Sequence, residues 1–267
     1  MKELTLREVK GIELELLKAF DAFCKKNGIR YFLSNGTLLG AVKYCGFIPW
    51  DDDIDVLVPR TDYNRLISLF EDDTRHTLFS PERVPAFCYP FAKLCDMTTR
   101  KEEGNIDNGV SLGVDIDIFP LDAWRVPLKR AKREEKRIHR RMAFLWLTKL
   151  KKPDSHNPVK RVVKGLFMGF LKLFGSRYFI RLINKACLAD PKQESSYLGC
   201  KAWPIYGERE ILPADVFRDI VEVEFEGLRL PAPGGYDTYL RSLYGDYEKD
   251  PPAELQKSHH SFKAYTI

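Results

Sequence analysis

The chain has no apolar run long enough to cross a bilayer. The nearest approach, VVKGLFMGFLKLF (162–174), is short and broken by Lys164 and Lys172. Its opening, MKELTLREVK, is polar and helix-like, which argues against a secretory leader. Cysteine is sparse. Cys24, Cys45, Cys88, Cys95, Cys187 and Cys200 form no CxxC pair and no Cys/His metal pattern. A disulfide scaffold and a structural zinc site therefore fall away, and reduced thiols in a cytoplasmic protein are the expectation. Internal repeats and low-complexity linkers are missing. So is any Ser/His/Asp or Cys/His arrangement that would point to a covalent intermediate. What is left is 267 residues, 44% hydrophobic and 30% charged, enough for a substantial core and too apolar for wholesale disorder.

Acidic charge is nearly absent from one region. Between Lys129 and Lys185 stand 18 Lys/Arg and three acids, Glu134, Glu135 and Asp154, while the rest of the chain holds 25 bases and 35 acids. The net charge of +5 thus hides an acidic body with a basic, aromatic-bearing segment. Within it Val162, Val163, Leu166, Phe167, Phe170, Leu173 and Phe174 make one broad apolar face flanked by Lys and Arg. Two readings fit: a helix lying in an anionic leaflet, giving peripheral membrane contact through 129–185, or a helical lid packed on the core with its bases outward. Nucleic acid is not expected, because the bases ride on helices whose apolar faces need burial.

Periodicity supplies the elements. Residues 5–28 read as an amphipathic helix, opened by the capping box Thr5/Glu8 and stopped at Gly28. IRYFLS (29–34) reads as a strand, 37–45 as a short helix, DIDVLVP (53–59) as a strand, and a helix starts at Thr61. YPFAKLC (89–95) and SLGVDIDIFP (111–120) read as strands joined by a polar loop at 98–109. Helices fill 127–190, a strand covers 219–227, a turn covers 231–235 and a closing helix covers 236–245. That order predicts an α+β domain with a helical second half.

The chemistry concentrates in NGTLLGAVKYCGFIPWDDDIDV (35–56). Side chains alternate along a strand, so Asp53 and Asp55 share a face while Ile54, Val56 and Val58 point into a core. Two carboxylate oxygens on one Mg²⁺ lie about 3 Å apart, which costs about 5 kcal/mol at an effective dielectric of about 20 unless a cation offsets it. Oxygen ligands without a nearby His or Cys favour Mg²⁺ or Mn²⁺. A second pair, Asp115 and Asp117 in GVDIDIFPLD, alternates with Ile116 and Ile118; one of them beside the first strand would complete a three-carboxylate cage. For Asp51 and Asp52 a place in the site and a bland role as caps or solvated edge charges weigh equally. Gly36 permits close backbone approach, the helix starting at Thr37 offers free N–H groups and a hydroxyl to a phosphate, and Lys43 would neutralise phosphate charge. His259 and His260 either close over this site or belong to a mobile tail.

The string GTLLGAVKYCGFIPWDDDIDV, with DIDIFPLD downstream and YGDY…PP…HH near the end, resembles the LicD family, whose members include phosphocholine transferases and, more distantly, fukutin-related transferases. The resemblance implies a nucleotidyltransferase (polymerase-beta-like) mixed-sheet core over 1–126, a basic helical insert over 127–190 and a C-terminal part, 191–267, that completes the catalytic domain. It implies transfer of a phospho-alcohol from a CDP-activated donor, CDP-choline foremost, to a hydroxyl of a glycan or lipid-linked glycan acceptor, with release of CMP. It assigns Asp53, Asp55 and Asp117 to the metal, Gly36 and Thr37 to the phosphate turn, and Lys43 to a basic position. Such an enzyme is expected in the cytoplasm, at the inner face of the membrane if the basic segment docks there. A choline cage would draw on Trp50, Tyr89, Trp124, Tyr206 or Tyr244. Two rivals stand beside it: a glycosyltransferase in which Asp53-Ile54-Asp55 holds Mn²⁺ and a sugar nucleotide, and a non-enzymatic membrane- or polyanion-binding protein.

Overall fold

The computed structural model describes residues 1–188, 196–252, 254, 256 and 262–267. Helix α1 (Leu6–Asn27) forms as its pattern predicts: Thr5 and Glu8 close the capping box, and Gly28, at φ 58°, ends it in the left-handed conformation that glycine adopts without a steric cost. Its stripe of Val9, Leu16, Leu17, Phe20 and Cys24 is buried. Then follow β1 (Phe32–Leu33), α2 (Asn35–Tyr44), β2 (Asp55–Pro59), α3 (Arg60–Leu69), β3 (His76–Phe79), β4 (Ala92–Glu103) and β5 (Leu112–Ala123). Helices α4 (Leu128–Lys149), α5 (Pro158–Lys172) and α6 (Ser176–Cys187) come next. The chain finishes with β6 (Tyr197–Cys200), β7 (Leu212–Pro213), β8 (Ile220–Phe225), β9 (Leu228–Pro233), α7 (Tyr236–Tyr244) and β10 (Phe262–Thr266).

The fold is α+β around a mixed sheet. Its strands run β1-β2-β5-β4-β10, with β3 also on β4 and β6 on β5, and β7 on β6. Within that order β2 and β5 are parallel and the other pairs antiparallel. Ile54, Val56, Val58, Ile116 and Ile118 are fully buried and join Leu16, Leu17, Phe20 and Cys24 of α1 in the main core. The hairpin β8–β9 and helix α7 add Phe225, Leu230, Tyr239 and Leu240 to that same core. A second cluster, around Trp124, Ile138, Leu145, Phe179 and Ile183, holds α4 and α6 together. No helix of the described residues is long and apolar enough to cross a membrane.

Several boundaries depart from the sequence reading. Strand β1 keeps only two of the six residues expected. Helix α2 begins at Asn35, so Gly36 and Thr37 lie inside its first turn. Strand β4 runs on to Glu103 through the stretch expected as loop, because β10 pairs with residues 99–103. Of the turn expected at 231–235 only Gly234 and Gly235 turn; residues 231–233 are the end of β9, with Pro231 and Pro233 on an edge strand.

Candidate functional site

The carboxylates meet where β2 lies parallel to β5. Asp55 is the register partner of Asp117, and Asp117 in turn is the register partner of Lys93 on β4. Partners directly opposite across a sheet project to one face, so Asp55, Asp117 and Lys93 form a row across three strands. The backbone fixes the row, with Asp117 N–H donating to Ile54 O at 2.8 Å. Asp53 lies two residues before Asp55, just outside β2.

Helix α2 braces this row from the other side. Asn35 adopts φ 46°, and its Nδ2 donates to Asp55 Oδ2 at 3.1 Å. Tyr239 Oη donates to Asn35 Oδ1 at 2.9 Å, tying the helix start to α7. Thr37 is buried, and its hydroxyl accepts the Asp55 N–H at 2.8 Å. The hydroxyl expected to meet a phosphate thus also braces the strand, as the acceptor of that N–H. Gly36 leaves room for Asp51: a Cβ there would lie 2.6 Å from Asp51 Oδ2 and would make that carboxylate shift. The anion seat at the start of α2 thus has a carboxylate of the chain beside it. Lys43 bonds Asp250 Oδ1 at 2.6 Å and Tyr247 O at 3.2 Å, holding the C-terminal segment to α2.

Two cavities flank the acids. One, of about 670 Å³, takes in Gly36, Lys43, Trp50, Asp51, Asp55 and Tyr244. The other, of about 490 Å³, takes in Tyr89, Lys93, Asp115, Asp117, Trp146 and Trp203. Asp53 lines both, so it stands at the partition between them. The aromatic candidates divide accordingly. Trp50, Tyr206 and Tyr244 face the first cavity and Tyr89 the second. Trp124 faces neither; it is fully buried and donates Nε1–H to Glu210 O.

Electrostatics differ sharply along the row. Burial, then the charges of Asp53 and Asp117, pushes the Asp55 carboxyl well above the usual carboxylate range. Burial also raises Asp117, against the pull of Lys93. Asp115 goes the other way: burial opposes its charge, but Lys101 and Lys93 outweigh burial and hold it low. Lys93 Nζ sits 2.5 Å from Asp115 Oδ2, bonds Asp117 Oδ1, and lies 4.9 Å from the Tyr89 ring centre. Sequence reading missed Lys93; its only signal was a lone base in the apolar run YPFAKLC. It also missed Glu13, a buried acid on the inward stripe of α1 whose carboxyl burial pushes well up, with Lys101 and Asp53 in its field. Among the described residues no three His, Cys, Asp or Glu side chains are drawn into a ready ligand cage. His259 and His260 lie outside the described residues.

Residues 28–120 match the family described as LicD/FKTN/FKRP, nucleotidyltransferase domain. Over 277 aligned residues, the whole of both chains, the protein is 30% identical to the lipopolysaccharide cholinephosphotransferase LicD of Haemophilus influenzae. Uncharacterized proteins of Rickettsia typhi and Rickettsia prowazekii are 40% and 38% identical over 63 residues, 23% of this chain and 20% and 24% of theirs. The chain belongs to the LicD family.

Proposed function

We propose that this protein transfers phosphocholine from CDP-choline to a sugar hydroxyl of a lipopolysaccharide-type glycan precursor, releasing CMP. The observation that carries the reading is the division of the acids between two adjoining cavities, with Asp55 lining the first, Asp117 the second and Asp53 both. The relative's name supplies the transferred group and the class of acceptor. The core would be of nucleotidyltransferase type, built from 1–126 and 191–267 around the helical insert 127–190.

The first cavity suits the activated donor. Trp50, Tyr206 and Tyr244 give flat apolar faces for a base or a quaternary ammonium; the α2 N-terminus, and Lys43 from the helix's last turn once it is drawn from Asp250, would give positive charge for the diphosphate. The second suits the acceptor, since Tyr89, Trp146 and Trp203 offer faces for a sugar ring and its acids accept hydroxyl protons. The acceptor oxygen forms a bond to the distal phosphorus, the bond from that phosphorus to CMP breaks, and the hydroxyl proton passes to a carboxylate on the acceptor side, Asp117. Such transfer is governed by positioning and charge more than by covalent help.

Asp53, Asp55 and Asp117 would hold Mg²⁺ or Mn²⁺. They fit one in kind: hard oxygen donors, with Asp55 buried and its charge disfavoured by its neighbours. The ion would neutralise the diphosphate and lower the cost of the attacking oxygen's charge. Because Lys93 already grips Asp117, loading requires Asp117 to share or release that ammonium.

The test is a panel of CDP-alcohols and UDP-sugars with Mg²⁺ and a glycan acceptor, following CMP and UDP. CMP release with CDP-choline is expected, falling about 10³-fold in Asp53→Asn and Asp55→Asn while the fold persists. Unchanged CMP release in those variants removes the site from the reaction. UDP release without CMP release makes the protein a glycosyltransferase instead.

A further inference from the structure

Helix α5 turns its apolar face away from the molecule. At about 100° per residue, Val159, Val162, Val163, Leu166, Phe170 and Leu173 fall within an arc of about 100°. These side chains are between 56% and 83% exposed. Phe167 and Phe174 widen the arc. Met168 and Leu171, the buried residues of α5, lie across the helix from it. Contact with the rest of the molecule runs through α4 and its end: Phe144 meets Phe167 at 5.9 Å and Lys172 Nζ donates to Leu150 O at 2.7 Å. The lid arrangement, apolar face inward, is therefore not what α5 adopts. A contiguous apolar face of this size is uncommon on a protein that meets only water.

The charge around the face selects the occupant. Neither α5 nor α6 contains an acid, while α5 carries Lys160, Arg161, Lys164 and Lys172 and α6 carries Arg177, Arg181 and Lys185. A second copy of the chain would bring these bases against one another. Nucleic acid would satisfy the bases and leave the arc in water. A leaflet with anionic headgroups satisfies both, taking the arc among its acyl chains and the bases among its phosphates. A groove of about 450 Å³ lined by Leu147, Val159, Val163 and Phe167, with Lys160 and Lys164, adds apolar space beside two ammonium groups.

The geometry points to α5 as a docking helix for an anionic membrane surface. Helix α4, on which α5 rests, also supplies Trp146 to the second cavity, so docking sets that cavity's orientation to the lipid. Lipid binding is measured without turnover, so this inference stands or falls apart from the transferase reading.

The test is sedimentation of the full chain with vesicles of phosphatidylcholine alone and of phosphatidylcholine with an equal part of phosphatidylglycerol. Binding at least about tenfold tighter to the anionic vesicles, weakened by salt, is expected. The double variant Leu166→Glu/Leu173→Glu, at two exposed positions, is expected to lose at least about tenfold of that affinity with an unchanged melting temperature. Lys160→Glu/Arg161→Glu is expected to erase the preference for anionic lipid. Equal binding by the Leu166/Leu173 variant overturns the proposal. So does a wild type that ignores anionic vesicles, and so does a dimer in solution that the Glu pair dissociates.

Discussion

Replacing Lys93 by Met tests whether the row of charges at the site is an electrostatic unit. Lys93 is 4% exposed, with its ammonium 2.5 Å from Asp115 and also bonded to Asp117. At an effective dielectric of about 20, the Asp115 contact alone is worth about 7 kcal/mol of gross attraction, and the Lys101–Asp115 contact at 2.8 Å about 6. Removing Lys93 leaves Asp115 with Lys101, but leaves the half-buried Asp117 beside Asp55 with its gripping cation gone. Desolvation consumes most of the gross attraction, so the net loss is about 3–5 kcal/mol, the usual cost of breaking a buried pair from one side. In a chain of this size that is a fall in melting temperature of roughly 10 °C.

The assay is thermal unfolding at pH 7.5 in EDTA, followed by circular dichroism. Three signatures are expected together. The variant melts roughly 10 °C lower. Its deficit shrinks as the pH is lowered, because Asp117, whose carboxyl already lies above its ordinary value, escapes by taking a proton. Adding Asp117→Asn to Lys93→Met recovers half or more of the loss, since the orphaned charge is gone. A deficit below about 2 °C, or a double variant that loses the sum of two separate lesions, would refute the account of Lys93 as the counter-charge of Asp117. Mg²⁺ is expected to raise the melting temperature of the variant more than that of the wild type, because the ammonium no longer competes for Asp117.

Other consequences are quickly stated. Burial raises the Glu210 carboxyl to about 8, so between about pH 4.5 and 8 the folded state keeps a proton that the unfolded chain gives up; stability falls as pH rises through that window, and Glu210→Gln is expected to flatten the melting profile there. Lys149 Nζ is buried, has no hydrogen-bond partner among the described residues and is pushed down to about 7 by burial, so Lys149→Met is expected to stabilise by at least about 1 kcal/mol at pH 6 and by less at pH 9. Gly40→Ala would set a Cβ 2.3 Å from Gly46 O and 3.0 Å from Ile48 N, both backbone atoms, so a loss of about 1–3 kcal/mol is expected in denaturant melts.

Local physics made part of the structure legible. Helix α1 announces both ends, because a capping box and a glycine stop are chemistry carried within a few residues. The strands bearing the acids announce themselves by alternation, since Ile54/Val56/Val58 and Ile116/Ile118 must be buried whatever lies beside them. What stayed hidden depends on distant partners. FKAYT (262–266) is a strand because residues 99–103 offer it an edge, and those charged residues are a strand because FKAYT arrives. Neither segment carries the pattern alone. Thr37 looks like a phosphate ligand in sequence; in space its hydroxyl also braces the strand by accepting the Asp55 N–H, a contact that the sequence does not announce.

The site itself shows where this boundary falls. Alternation can say that Asp115 and Asp117 share a face, but not which of them stands beside Asp55; only the family resemblance singles out Asp117. The register of β5 on β2 makes that choice, putting Asp117 opposite Asp55 and leaving Asp115 to Lys93 and Lys101. A slip of one residue would turn an isoleucine toward the cavities and drive the carboxylates into the core, so the apolar residues between the acids forbid it. A slip of two would keep the core and exchange the acids. Against that slip stand the antiparallel pairing of β4, which sets Lys93 opposite Asp117, and the clamp from Lys101 to Asp115. The hydrophobic pattern thus selects the face, and Lys93 and Lys101 select which carboxylate meets Asp55.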